Sequence, residues 1–123
     1  MPKILLVEDN DIFRQIFLDS LTQCFPDYSY EEARDGNEAR LKVSEFYPDI
    51  IFMDINLPNK NGLELTAEIK KEYPGICIII VTNYDFPEYR AKAEEIGADY
   101  FLSKSSITED HIAGLLHKIG DKI

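Results

Sequence analysis

Three short apolar runs in this chain each end on a polar residue, and this pattern limits the fold more than any other feature. The runs are followed at once by acidic or hydroxyl side chains: Ile4–Val7 by Glu8-Asp9, Ile50–Met53 by Asp54, and Ile78–Val81 by Thr82. A short continuous apolar run predicts a strand buried on both faces, as in a parallel sheet. Ligands of open parallel sheets bind beyond the carboxyl ends of the strands. We therefore expect these polar side chains to meet in one crevice.

The expected crevice would bring the carboxylates of Glu8, Asp9 and Asp54 together. Two unit charges about 4 Å apart repel each other by roughly 4 kcal/mol at the effective dielectric of a protein surface. A hard divalent cation with oxygen ligands relieves this repulsion, and Mg²⁺ suits a site that offers a few carboxylates while it keeps several waters. The sequence therefore predicts a metal site before it predicts a reaction.

Composition limits the classes of partner and compartment. The 123 residues, 45% of them hydrophobic, predict one domain over residues 1–123 with a single core and no second domain. Thirteen basic against twenty-three acidic residues give a formal net charge of −10, which disfavours direct binding to nucleic acid or to an anionic membrane. No apolar run approaches the roughly 18 residues of a membrane span, and Cys24 and Cys77 lack metal-ligand spacing. We expect a cytoplasmic protein with buried or half-buried thiols and no disulfide.

Strand and helix patterns alternate along the whole chain. The predicted strands are Lys3–Val7, Tyr28–Ala33, Ile50–Met53, Cys77–Val81 and Tyr100–Leu102, each followed by an amphipathic helix. In the first helix we expect Asp11 as the N-cap and one buried face, made of Phe13, Ile16, Phe17, Leu21 and Cys24. This alternation predicts an α/β fold, a doubly wound five-stranded parallel sheet of order 2-1-3-4-5 with helices on both faces.

Several residues at the predicted strand ends carry a resemblance to a known family. They are Glu8-Asp9 after the first strand, Asp54 after the third with Pro58 and Gly62 beyond it, Thr82 after the fourth, and Lys104 after the fifth. On these residues the chain resembles the response-regulator receiver domains of two-component signalling, in particular the chemotaxis regulators. The resemblance implies the flavodoxin-like version of the predicted fold and a phosphorelay function. It also implies a signalling domain that catalyses only its own phosphorylation and dephosphorylation, rather than an enzyme.

The resemblance implies a phosphoacceptor and a metal. Asp54 would take the phosphoryl group from a histidine of a sensor kinase or of a histidine phosphotransfer protein, forming an aspartyl phosphate. Mg²⁺, with Mn²⁺ as an alternative, would be bound by Asp9, Asp54, the backbone carbonyl of Asn56 and, through water, Glu8.

The resemblance also implies a switch. Lys104 would pair with Asp54 and later with the phosphate, while the Thr82 hydroxyl would donate to another phosphate oxygen. Inward movement of Thr82 would let the ring of Phe101, three residues before Lys104, turn in. The readout surface would be the fourth helix, the fifth strand and the fifth helix, through which a homodimer could also form.

Three positions depart from the family pattern or extend it. Asn83 follows Thr82 where the family mostly has a smaller residue, so phosphoryl transfer could be slower. Ser105 follows Lys104 where many members have a cis proline, so the backbone that aims Lys104 must turn in another way. We hypothesise that the bulky Tyr84 shields the phosphoaspartate and slows its hydrolysis.

Two other functions remain open at this stage. A pseudo-receiver would bind a partner without ever carrying phosphate, although the intact acidic site is hard to explain in that way. A small Mg²⁺-dependent phosphohydrolase would use Asp54 as its nucleophile. Such enzymes usually place a second Asp two positions further on, where this chain has Asn56, and the missing acid argues against turnover of phosphate esters.

Overall fold

The computed structural model describes residues 2–121 of the chain. In chain order its elements are β1 (Lys3–Val7), α1 (Asp11–Cys24), β2 (Ser29–Ala33), α2 (Gly36–Phe46), β3 (Ile50–Met53), β4 (Asn56–Leu57), β5 (Lys60–Asn61), α3 (Gly62–Glu72), β6 (Cys77–Thr82), α4 (Pro87–Glu95), β7 (Tyr100–Ser103) and α5 (Glu109–Gly120). The main sheet has the order β2-β1-β3-β6-β7, and all its neighbouring strands are parallel. When only these five strands are numbered, this is the predicted order 2-1-3-4-5, so the predicted fold class is confirmed.

The sheet is buried on both faces because its central strands are apolar at every position except their ends. Odd-numbered residues of β1, such as Leu5 and Val7, pack with side chains of α2, α3 and α4. Even-numbered residues, such as Ile4 and Leu6, pack on the other face with α1 and α5. Successive side chains of a strand point to opposite faces, so a continuous apolar run is what a sheet covered by helices on both sides requires.

Strand register brings the polar strand ends to one edge of the sheet. Val7 is paired with Met53, and Met53 with Ile80, so the residues that come after β1 and β3 lie side by side. The ladder continues one step further, where the Asp54 backbone N–H donates to the Val7 carbonyl (3.0 Å). The structure therefore places the end of β1 next to Asp54, as the apolar runs predicted.

Helix α1 corrects three predictions about its start and its buried face. Its N-cap is Asn10, whose side chain accepts a hydrogen bond from the Phe13 backbone N–H (2.9 Å). The prediction of Asp11 is wrong because its carboxylate pairs with Arg14 in the first turn. Ile16 is 61% exposed and Cys24 is also exposed, so both predictions of burial are wrong. The buried side of the helix is rotated towards residues 14, 17 and 21.

The segment from Asn56 to Asn61 forms a small antiparallel hairpin, β4–β5. Asn59 at its tip has a positive φ of 68°, a conformation that asparagine tolerates better than most residues. Asn61 then caps α3 by accepting a hydrogen bond from the Leu63 N–H (2.7 Å). The hairpin thus leads the chain from Asp54 directly into the next helix.

Helix α4 begins at Pro87, and Gly97 lies just beyond its end. Gly97 has a φ of +93°, a conformation that L side chains rarely adopt. Within residues 2–121, every helix is too short or too polar to cross a membrane.

Candidate functional site

Three carboxylates lie together at the carboxyl edge of the sheet. One oxygen from each of Glu8, Asp9 and Asp54 lies within 4.8 Å of the other two. Glu8 and Asp54 are buried, whereas Asp9 is exposed. Carboxylate oxygens at this spacing are the donor set that Mg²⁺ and Mn²⁺ prefer, so the residues present fit a hard divalent cation.

Asp54 is an acid in an environment that opposes its ionisation. Its side chain is buried, and Oδ1 accepts a hydrogen bond from the backbone N–H of Ile55 (2.9 Å). Burial raises the pKa of Asp54 to about 7; the nearby Glu8 charge adds to the rise, and Lys104 partly opposes it. Burial and the Glu8 charge therefore oppose ionisation of Asp54 more strongly than Lys104 favours it.

Lys104 supplies a positive charge within the cluster. Its Nζ lies 2.6 Å from Glu8 Oε1 and 3.8 Å from Asp54 Oδ2. Its side chain is only 10% exposed, and Nζ also lies 4.3 Å from the centroid of the Phe13 ring. In this structure the closer acidic partner of Lys104 is therefore Glu8, whereas the resemblance implied Asp54.

The backbone that carries Lys104 is fixed without a proline. Its N–H donates to the Thr82 carbonyl (2.9 Å), which extends the pairing of β6 with β7. The hydroxyls of Ser103 and Ser105 lie 2.9 Å apart in hydrogen-bond contact across Lys104. Every peptide bond among the described residues is trans. The turn after Lys104 is therefore made by these contacts and not by a cis proline.

Thr82 and Tyr84 form a tight turn beside the cluster. Thr82 is fully buried, and its Oγ1 accepts a hydrogen bond from the Tyr84 backbone N–H (3.1 Å). Tyr84 is 39% exposed and its ring contacts the rings of Phe86 and Tyr89, with centroids 6.3 Å apart in both cases. The loop after β6 thus presents aromatic side chains to solvent next to the buried hydroxyl.

Phe101 is half-buried in β7 and is covered by a cation. The guanidinium carbon of Arg90 lies 4.7 Å from the centroid of the Phe101 ring. Arg90 is in turn paired with Asp85, which lies in the loop just before α4. The ring therefore lies at the α4–β7 surface, beneath a salt bridge.

Asn56 is exposed at the first position of the hairpin, where it pairs with Asn61. Beyond it, the backbone of Gly62 approaches Asp54 very closely, since a Cβ built on Gly62 would lie 1.9 Å from the Asp54 carbonyl oxygen. Gly62 is among the residues that carry the family resemblance, but the sequence alone did not reveal this contact.

Arg14 is a buried charged residue of the site that sequence reasoning missed. Its guanidinium donates to the Glu8 carbonyl (2.7 Å) and to the carboxylates of Asp11 and Glu32. It therefore ties the acidic turn after β1 to α1 and β2. The available signal was its position three residues after an aspartate, a spacing at which two helical side chains can pair.

Comparison with known families gives one extensive match. Residues 4–116 match the family model described as the response regulator receiver domain. Among curated proteins, the chemotaxis protein CheY of Halobacterium salinarum is 35% identical over 102 residues, covering 83% of each chain. The chain spans about half the length of several other curated relatives that it matches, among them the transcriptional regulatory protein LnrK of Bacillus subtilis and the response regulator MprA of Mycolicibacterium vanbaalenii.

Solved structures give the same result. A CheY-like response regulator receiver domain protein from Methanospirillum hungatei superimposes with a TM-score of 0.80 at 31% identity, covering 99% of this chain and 93% of the other. The Mn²⁺-bound form of the response regulator Rcp1 has a TM-score of 0.81 at 26% identity, covering 96% of this chain and 93% of the other.

Proposed function

Since this chain belongs to the response regulator receiver domains of two-component systems, we propose that it accepts a phosphoryl group on Asp54 in a Mg²⁺-dependent reaction. The donor would be a phosphohistidine of a sensor kinase or of a histidine phosphotransfer protein. One observation carries the proposal: Asp54 lies within 4.8 Å of two other carboxylates, and a lysine ammonium lies 3.8 Å from its Oδ2.

The donor atoms for the cation would come from four residues. Asp9, Asp54 and Glu8 would contribute carboxylates, Glu8 through water, and Asn56 would contribute its backbone carbonyl. When bound, the cation would offset the repulsion among the acids and neutralise charge on the phosphoryl oxygens. The Mn²⁺-bound form of the similar regulator Rcp1 supports a divalent cation in this class of domain.

The side chains of the cluster suit phosphoryl transfer, because that reaction depends on positioning and charge neutralisation. One Asp54 carboxylate oxygen would form a bond to phosphorus as the phosphorus–nitrogen bond to the donor histidine breaks, and the electron pair would return to the imidazole. Lys104 would leave Glu8 to pair with a phosphate oxygen. The Thr82 hydroxyl would donate to another. The domain would thereby catalyse only its own modification.

The same step would change a surface. If Thr82 turns towards the phosphate, its hydroxyl leaves the Tyr84 N–H, and the loop between β6 and α4 is released. Phe101 could then turn inward from beneath Arg90, altering the face formed by α4, β7 and α5. This face would bind a partner or a second copy of the chain differently in the two states. The exposed ring of Tyr84 would shield the phosphoaspartate from water.

Incubation with acetyl phosphate and Mg²⁺, followed by intact-mass measurement, tests the phosphoacceptor. We expect one added phosphate on the wild type and none on Asp54→Asn or in EDTA. Asp27→Asn removes an exposed acid that is not part of the acidic cluster. It is the matched control and should still be phosphorylated. Absence of any adduct on the wild type would favour a pseudo-receiver, and continuous hydrolysis of generic phosphate esters would favour a phosphohydrolase.

A further inference from the structure

A stack of aromatic rings extends from the middle of the sheet to the Lys104 ammonium. Phe52 of β3 contacts Phe17 of α1 edge to face, with ring centroids 5.0 Å apart and planes at 83°. Phe17 stacks on Phe13, with centroids 5.6 Å apart and planes at 16°. The Lys104 Nζ in turn lies 4.3 Å from the centroid of the Phe13 ring. The ring under the ammonium is thus fixed by packing that begins in the strand leading to Asp54.

Ion pairs alone do not define the position of the Lys104 ammonium. A lysine carries a compact charge on a flexible stem, and here two acids, Glu8 and Asp54, compete for it at 2.6 and 3.8 Å. The face of the Phe13 ring also attracts the Lys104 ammonium, and unlike Glu8 and Asp54 it does so without a negative charge of its own. It also keeps water away, in agreement with the 10% exposure of this side chain.

From this arrangement we propose that Phe13 is a positioning residue for phosphoryl transfer, whose ring holds the Lys104 ammonium at the opening between Glu8 and Asp54. The inference rests on the proposed function of Asp54. Phe13 acts only through Lys104 and does not touch the phosphoryl group. Its contribution comes from the attraction of the ring for the cation, so an aliphatic side chain of similar size does not replace it.

The first test compares three variants of α1 in the rate of phosphorylation by acetyl phosphate. Phe13→Leu keeps an apolar side chain and removes the ring, and we expect a rate about fivefold lower, from the usual strength of a cation–ring contact. Phe13→Tyr keeps a ring and should restore a rate close to that of the wild type. Ile16→Ala, on the exposed side of the same helix, is the matched control and should leave the rate unchanged.

A double-mutant cycle separates positioning from a general packing defect. Lys104→Met removes the ammonium and keeps most of the stem. If Phe13 acts through Lys104, Phe13→Leu causes no further loss of rate in the Lys104→Met background. A structural defect in α1 would instead lower the rate by the same factor in both backgrounds.

A second readout needs neither metal nor phosphate. In NMR spectra of the metal-free protein, the protons on Cε of Lys104 should resonate upfield, because Cε is bonded to Nζ and Nζ lies 4.3 Å from the centroid of the Phe13 ring. The upfield shift should disappear in Phe13→Leu and persist in Phe13→Tyr and Ile16→Ala. If the leucine variant does not fold, the wild-type spectrum still tests the contact, because an unshifted Lys104 signal would contradict it.

The outcomes distinguish this inference from the proposed function. Wild type that takes up no phosphate overturns both. If the wild type is phosphorylated but Phe13→Leu reacts at the same rate, only the role of Phe13 is overturned. The same holds if the effects of Phe13→Leu and Lys104→Met on the rate are additive in free energy. An unshifted Lys104 signal in the wild type likewise contradicts the ring contact.

Discussion

Gly62 is a single residue on which the geometry of the acidic cluster depends. A methyl group there would lie 1.9 Å from the Asp54 carbonyl oxygen and 2.9 Å from the Ile55 Cα, and backbone atoms cannot turn aside as a side chain can. We expect Gly62→Ala to lower the free energy of unfolding by about 2 kcal/mol or more and to slow phosphorylation of Asp54. Urea denaturation measures the first effect, and the acetyl phosphate assay measures the second.

Gly114→Ala is the control for this prediction. Gly114 lies in the middle of α5, and nothing lies within 4 Å of a methyl group added there. Because alanine favours the helix, this variant should gain about 0.5–1 kcal/mol. A Gly62→Ala protein as stable as the wild type would show that the turn after Asp54 can relax.

At the scale of residues, the sequence predicted which side chains follow the strands but not which side chains from other elements contact them. Glu8, Asp9 and Asp54 could be foreseen because strand ends in a parallel sheet share an edge. The contact between Phe13 and Lys104 could not, because it joins α1 to a loop far along the chain. The N-cap was missed for a related reason, since Asn10 and Asp11 are both good caps and the outcome depends on Arg14.

At the scale of elements, Tyr30 joins β2 to the end of α1. Its single hydroxyl proton is shared between the carbonyls of Phe25 (2.8 Å) and Leu21 (3.1 Å). Both carbonyls also accept backbone N–H groups, so neither is orphaned if the hydroxyl is removed. We therefore expect Tyr30→Phe to cost only about 1 kcal/mol of unfolding free energy at neutral pH, measured by urea denaturation.

The same tyrosine gives a pH dependence with a defined sign. Burial raises the pKa of Tyr30 to about 12, above the value of about 10 for an exposed tyrosine. The contribution of the Tyr30 hydroxyl to the free energy of unfolding is therefore complete below about pH 10 and is lost as the pH rises towards about 12. The stability difference between wild type and Tyr30→Phe should shrink over this range. Tyr47→Phe, at a side chain that is 63% exposed, is the control. A stability difference between wild type and Tyr30→Phe that stays constant with pH would contradict the raised pKa of Tyr30.

Elements with one strong signal were predicted well, and those with two competing signals were not. The central strands are apolar at nearly every position, with polar residues only at their ends (Lys3 in β1 and Thr82 in β6), so their type and limits were clear. The hairpin β4–β5 resembles a loop in the sequence because its strands are only two residues long and rich in turn formers. Helix α1 has apolar residues around much of its circumference, so the pattern did not reveal that Ile16 would face solvent while Arg14 would be buried.

At the scale of the whole molecule, repulsion among Glu8, Asp9 and Asp54 should lower the stability of the folded chain, and a bound cation would relieve that repulsion. A cation that binds the folded chain alone should add about 2.7 kcal/mol of stability at one hundred times its dissociation constant. We expect Mg²⁺ to raise the melting temperature and EDTA to reverse the rise. Asp9→Asn should melt at a higher temperature than wild type in EDTA, because one repelling charge is gone, and should respond little to Mg²⁺.

Calorimetry of the wild type and Asp9→Asn, each with and without Mg²⁺, measures both effects. Asp19→Asn, an exposed acid on α1 outside the cluster, is the control and should respond to Mg²⁺ like the wild type. An equal rise in all three proteins would indicate a general salt effect instead of a site.

The pairing of β1 with β3 and of β3 with β6 joins segments that are far apart along the chain. No fragment that lacks β3 can contain the crevice, since Glu8 and Asp54 become neighbours only through that pairing. During synthesis, the nascent chain would acquire its cation affinity only after β3 has emerged from the ribosome and has docked beside β1. Cation affinity would therefore report, in a growing or cleaved polypeptide, whether the centre of the sheet has assembled.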